Sequence, residues 1–282
     1  MSVTETGDAS GLKKILYLYC LAESKDLETI SGTGIDDSYP LFLSRTNGVT
    51  AVLSHADPAD FIGEKGEENL GDINWIGPRA CRHQDVISRV MARSPVMPVR
   101  FGTLYLSQDS LNRMMATHQD DVAGFLKTIA GKEEWAVKGY MDRKKALKKI
   151  LSSLADPASG ANEPGDQPSP GIQYFQRKKQ EQEAETSVNA FIHESAMAVA
   201  DILEPLSIDI NERELMSRTA TGKSMDMVLN WAALLEKERV DQFNRRIEQI
   251  NADHEKDGLV LEFSGPWPPY SFCPAIGEGK ER

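Results

Sequence analysis

At 282 residues with a formal charge of −11 and a pI near 5.0, the chain has room for two ordinary domains, each with its own core. The acid excess argues against a nucleic-acid binder, which needs a basic face to neutralise phosphates. Three widely spaced cysteines, Cys20, Cys81 and Cys273, make neither a disulfide framework nor a paired metal motif, and suit a reducing cytoplasm.

Residues 1–11 are polar and acidic, without the basic start and apolar centre of a secretion signal, and are expected to form a disordered tail. No apolar run approaches the ~18 residues that a spanning helix needs. The expectation is a soluble cytoplasmic protein with no membrane and no nucleic-acid partner.

Residues 14–22 (KILYLYCLA) read as a buried strand. Two further apolar runs, 41–43 and 49–54, flank Asn47-Gly48, a strong hairpin signal because both turn residues accept a positive φ. From about Trp75 a helix carries Ile76, Ala80, His83, Ile87 and Val90 on one face, and Ser94-Pro95 ends it. Residues 99–106 then read as one strand, with Gly102 allowing a bulge. Leu111, Met114, Met115, His118, Val122, Phe125, Leu126 and Ile129 have the spacing of a single amphipathic helix that stops at Gly131.

A second series starts at Glu134. A strand over 134–140 leads into a basic helix from Arg143, and 155–170, with four prolines, must be a loop. A long helix follows, polar at first and apolar later (Val188, Phe191, Ile192, Val199, Ile202, Leu203). Next come two strands around a turn at Gly222, a helix with Val240, Phe243, Ile247 and Ile250, and a last strand, 259–263. The fold class expected is therefore α+β in two domains. One is an N-terminal α+β domain over 12–131 with a β-hairpin. The other is a C-terminal ferredoxin-like domain (βαββαβ) over 132–282, with an inserted helix and the 155–170 loop.

The last strand runs into GPWPPYSF. Pro266, Pro268 and Pro269 cannot donate to a ladder, so this Pro/aromatic tail must leave the sheet. Trp267, Tyr270 and Phe272 are too apolar to be left in water without reason, at ~1.5–3 kcal/mol each when fully covered. The tail either latches over its own domain or presents a docking edge to a partner. Arg100, the one cation in an apolar stretch, and Phe101 are the candidates in the first domain. Pairing of Arg100 with a buried carboxylate is the plainer alternative.

Catalysis has no visible home, and no catalytic, cofactor-binding or metal residue is nominated. Thr221-Gly222-Lys223-Ser224 ends like a phosphate-binding loop, but Ser217 stands where that motif needs its first Gly, and a strand-like run follows in place of a helix. Cys81 and His83, two apart on a helix, diverge by roughly 200° and cannot form a nucleophile–base pair. His83 lies on the apolar stripe, the usual place of a packed core histidine. The RNA-recognition use of a ferredoxin-like sheet needs an aromatic central strand and a basic face, and neither is present.

Four stretches, in order, resemble the GvpL/GvpF family of gas vesicle proteins. They are PVRFGTLY at 98–105 after a helix bearing HQDVI at 83–87, EWAVKGYMD at 134–142, PGIQYFQRKK at 170–179, and GPWPPYSF at 265–272. The resemblance implies a non-enzymatic accessory protein of gas vesicles, which are hollow proteinaceous flotation shells. It also implies a role in shell assembly through contact with GvpA, the small, very hydrophobic major shell protein, and with other accessory proteins. An enzymatic or small-ligand-binding ferredoxin-like protein is the alternative, since fold does not dictate function.

Overall fold

The computed structural model describes residues 13–154, 170–274 and 276. The tail expected at 1–11 and the loop expected at 155–170, save Pro170, lie outside the described residues. The chain divides into two units, one formed up to Glu133 together with Trp267 onward, the other by Glu134–Pro266.

The first unit opens with β1 (Ile15–Glu23), whose residues 15–22 are all buried. A hairpin follows, β2 (Leu41–Thr46) and β3 (Val49–Ala56). Thr46 pairs with Val49 across Asn47 (φ 47°) and Gly48 (φ 85°), so the Asn-Gly turn forms where its backbone freedom predicts. Three helices come next: α1 (Pro58–Phe61), α2 (Gly63–Gly71) and α3 (Ile73–Met91), with Asp57 and Asp72 capping the first and third. The short strands β4 (Val96–Pro98) and β5 (Leu104–Tyr105) precede α4 (Gln108–Thr117) and α5 (Gln119–Ile129). The sheet order is β2-β3-β1-β4, with β5 also against β1.

Because β1 is covered on both faces, its side chains feed two cores. Ile15 and Tyr17 join Leu27, Phe61, Val86, Ile87 and Val90 on the α3 side. Leu16, Leu18 and Leu21 join Leu111, Met115, Val122, Phe125 and Leu126 on the α4–α5 side. The β1–β3 register slips between Leu18 and Cys20. This bulge puts two neighbours, Tyr19 and Cys20, on the same side of the strand and into one core.

Two expectations are corrected here. Residues 99–106 are not one strand: β4 pairs with 20–22 of β1 and β5 with 16–17, and the chain between them leaves the ladder opposite the bulge. The expected helix over 111–129 is two helices, broken at His118 (φ −107°, ψ 17°). Both halves still bury their apolar stripe, which is why periodicity alone read through the break.

The second unit takes most of β6 (Lys132–Met141), then α6 (Arg143–Leu154), α7 (Pro170–Leu203), β7 (Asp209–Glu212), a single helical turn α8 (Arg218–Thr221), β8 (Asp226–Glu236), α9 (Val240–His254) and β9 (Leu259–Trp267). Its strands lie in the order β7-β8-β6-β9, and β7 pairs antiparallel with β8. Val137, Met141, Leu229, Trp231, Ala233, Leu235, Leu259 and Leu261 from the strands pack on Val188, Val199 and Leu203 of α7 and Phe243, Ile247 and Ile250 of α9. Alternation with a period of two puts these side chains on one sheet face.

The domain assignment that kept 132–282 together is corrected at its end: from Trp267 the chain belongs with the first unit. The last strand, expected over 259–263, runs on through Gly265 and Pro266 to Trp267, since β9 is an edge strand where a proline need not donate to a neighbour. Pro268 and Pro269 then end it and are themselves buried, and Phe272, Cys273 and Ile276 pack against the core of the α4–α5 side.

Candidate functional site

The tail and the 99–103 loop, separated by more than half of the chain, meet in the first unit. The loop is held from beneath by two buried side chains. The Gly102 N–H donates to the Tyr17 hydroxyl at 3.1 Å, and that hydroxyl lies 2.9 Å from Nδ1 of His83. The other ring nitrogen, Nε2, lies 3.0 Å from the Val99 carbonyl. One proton arrangement satisfies every member: the phenol donates to Nδ1, and Nε2–H donates to Val99. His83 is 3% exposed, and burial pushes its pKa down to about 4, so the ring is neutral. Burial likewise holds the Tyr17 phenol well above its ordinary value.

Gly102 takes φ +78° at the apex of this loop, a conformation that favours glycine. The two backbone bonds Leu18 N–H to Thr103 (3.0 Å) and Val99 N–H to Tyr19 (3.1 Å) fix its ends on β1. Phe101 is half-buried, edge-on to Tyr17 (6.1 Å) and His83 (5.9 Å), while Arg100 is exposed. The two neighbours thus point to different environments, Phe101 inward and Arg100 outward.

The tail lies against the start of the same loop. The Cys273 thiol is 3.8 Å from the Pro98 carbonyl and 3.2 Å from that of Pro269. Residues 270–272 form a 3-10 turn, with the Tyr270 N–H donating to Pro268 at 2.7 Å. Phe272 packs on the same core that Val99 and Met114 also cover, whereas Trp267 is 44% and Tyr270 37% exposed. Burial of the Tyr270 hydroxyl, with Cys20 and Cys273 adding to it, raises the phenol pKa. Of the five residues singled out in the sequence, Phe272 is an anchor, Phe101 is half-covered, and Arg100, Trp267 and Tyr270 present surface. Sequence reasoning placed His83 in a core but missed its partnership with Tyr17. The signal available was two polar-tipped aromatic groups, each on an apolar stripe and each needing a partner.

The TGKS segment is no phosphate cradle. Its helix is the single turn α8, Gly222 (φ +67°) caps the C-terminus of that turn, and Lys223 pairs with Glu262 at 2.6 Å over the Tyr140 ring. Among the described residues, no group of three or more His, Cys, Asp or Glu could hold a metal ion. No helix among them is long and apolar enough to cross a membrane.

These features define a mixed α/β protein with two antiparallel sheets and an aromatic tail folded beside a strand-edge loop. The chain belongs to the gas vesicle synthesis protein GvpL/GvpF family, whose sequence profile matches residues 15–274. It is similar to gas vesicle protein L1 of Halobacterium salinarum, 23% identical over 269 residues that cover 93% of this chain and 91% of that one. It is also similar to gas vesicle protein L of a Streptomyces species, 24% identical over 264 residues, covering 92% and 93% respectively. The fold resembles the crystal structure of gas vesicle protein GvpF from an Anabaena species, with a TM-score of 0.68 at 18% identity, covering 93% of this chain and 97% of that one. The family resemblance carried by four short motifs is borne out, and it supports a role in gas vesicles.

Proposed function

We propose that this chain is a non-enzymatic accessory protein that assists gas vesicle shell assembly by binding GvpA, in the cytoplasm and at the growing vesicle, alongside other accessory proteins. The observation that carries this reading is that one unit holds both the tail, anchored by Phe272 and with Cys273 against the Pro98 carbonyl at the start of the Arg100–Phe101 loop, and the exposed side chains of Trp267 and Tyr270. Exposed aromatic side chains on a rigid base are the usual anchors of protein interfaces, each worth ~2 kcal/mol or more when covered. The net charge of −11 would keep a complex with an apolar partner dispersed.

We read the second unit as a ferredoxin-like scaffold. In its favour are the order β6, α7, β7, β8, α9, β9 and a sheet in which the first and third of those strands are the central pair.

The test is co-purification of the chain with GvpA, repeated with Trp267→Ala/Tyr270→Ala and with Arg100→Ala. The reading expects the parent to retain GvpA in solution and the double variant to lose it. If the parent neither binds nor solubilises GvpA, the reading is wrong, and turnover of a small molecule would favour the enzymatic alternative.

A further inference from the structure

On the second unit, α7 and α9 border an open groove of about 350 Å³, lined by Ile202, Leu206, Gln242, Arg245, Arg246 and Gln249. Its two walls differ in chemistry. Ile202 and Leu206, four apart at the end of α7 and in the turn after it, form an apolar strip that is only half-covered. Gln242, Arg245, Arg246 and Gln249 recur at i, i+3/i+4 and i+7 and so make one polar ridge along α9, flanking the buried stripe of Phe243, Ile247 and Ile250.

Charge says what would fill it. In a chain of net charge −11, most cations would be expected to find a carboxylate. Arg245 nevertheless has no hydrogen bond or ion pair with any described residue, and Arg246 donates only to the Gln249 side-chain oxygen, at 2.6 Å. Two neighbouring guanidinium groups without a carboxylate, beside two amides and an apolar strip, match a ligand that is acidic along one edge and apolar along the next. A free anion would leave Ile202 and Leu206 wet, and a purely apolar segment would desolvate two arginines without compensation. A helix satisfies both walls, because one face can carry Leu-type residues at i and i+4 with Glu or Asp at the flanking positions, as in three-helix packing.

We propose that the α7–α9 groove is a docking site for an acidic amphipathic helix of a partner protein, its apolar stripe on Ile202 and Leu206 and its carboxylates on Arg245 and Arg246. This site is independent of GvpA capture by the first unit and stands or falls separately.

The probe is a fluorescently labelled helical peptide with Leu at heptad positions a and d and Glu at e and g, titrated with the full chain by anisotropy. Its counterpart with Gln in place of every Glu is titrated in parallel. The expected result is saturable binding of the acidic peptide that weakens with salt, and weaker binding of the Gln peptide. For Arg245→Glu/Arg246→Glu, the dissociation constant should rise about tenfold or more, since two charge-assisted pairs become repulsive. Among the described residues the Arg245 side chain has no partner and that of Arg246 has only the Gln249 amide, so the variant should keep the parent's circular dichroism and melting curve. Arg245→Gln/Arg246→Gln, which adds no new charge, should show an intermediate loss. No binding by the parent, equal binding by the Glu variant, or equal affinity for the Gln peptide would overturn the proposal.

Discussion

The hydroxyl of Tyr17 on β1 and Nδ1 of His83 on α3 lie 2.9 Å apart, inside the core. Through them a strand, a helix and the loop bearing Arg100 and Phe101 share one chain of hydrogen bonds. The pair is a positioning device: it touches no surface, yet it decides where the loop sits.

His83 should make stability depend on pH. Its folded pKa is about 4, against an ordinary 6.5, so below 6.5 the unfolded chain takes up the proton first. The contribution of the neutral ring is therefore complete above pH 6.5 and is lost as pH falls towards 4, to a total of about 3 kcal/mol. Urea titrations of the parent and His83→Gln at pH 7 and pH 4.5 isolate this term. The parent should lose more stability than the variant on acidification, and parallel losses would refute the assignment.

Gly34 is a close-approach position. A Cβ there would stand 2.3 Å from the Ser54 Oγ and 2.9 Å from the Tyr19 hydroxyl, two atoms that hydrogen-bond each other at 2.9 Å. Gly34→Ala must push this buried pair apart and should cost about 2–3 kcal/mol. Thermal melts should show the loss. In Gly34→Ala/Ser54→Gly, which removes the nearest obstruction, part of it should return.

In the second unit, Glu134 is 1% exposed and pairs with Arg213. Removing the cation leaves a carboxylate in a poorly solvated place, so Arg213→Met should destabilise by about 2–4 kcal/mol. Glu134→Gln/Arg213→Met, which also removes the charge, should be less damaging than Arg213→Met alone. Chemical denaturation of the parent, both single variants (Arg213→Met and Glu134→Gln) and the double variant measures the coupling, and strict additivity would count against the pair.

The tail should separate folding from docking. Phe272 packs on the core, so Phe272→Ala should lower stability by about 1–3 kcal/mol. Trp267→Ala, at a residue 44% exposed, should change the melting temperature little and reduce GvpA capture strongly. A large melting shift with unchanged capture would make Trp267 a latch and no more.

The pattern of residues was enough for elements whose driving force is local. Alternation and β-branched or aromatic content marked β1, the Asn47-Gly48 turn marked the hairpin, and helical spacing marked α3 and α9. Four motifs of unusual composition marked the family. Spacing could not separate β4 from β5, because the interruption at 99–103 comes from a bulge on the partner strand and from Tyr17 and His83, remote in sequence. Nor could it see the break at His118, where no Gly or Pro announces a stop and both halves bury the same stripe.

By itself the sequence determined that the chain makes two mixed α/β units and that the Pro268-Pro269 pair ends the last strand, since proline lacks the donor that a ladder needs and aromatic side chains avoid water. Only the tertiary structure decided which unit receives the tail, which of its rings stay exposed, and that Arg245 and Arg246 line a half-apolar groove with no carboxylate partner among the described residues. Those outcomes depend on which distant surfaces come within a few ångströms, and no local preference encodes that distance.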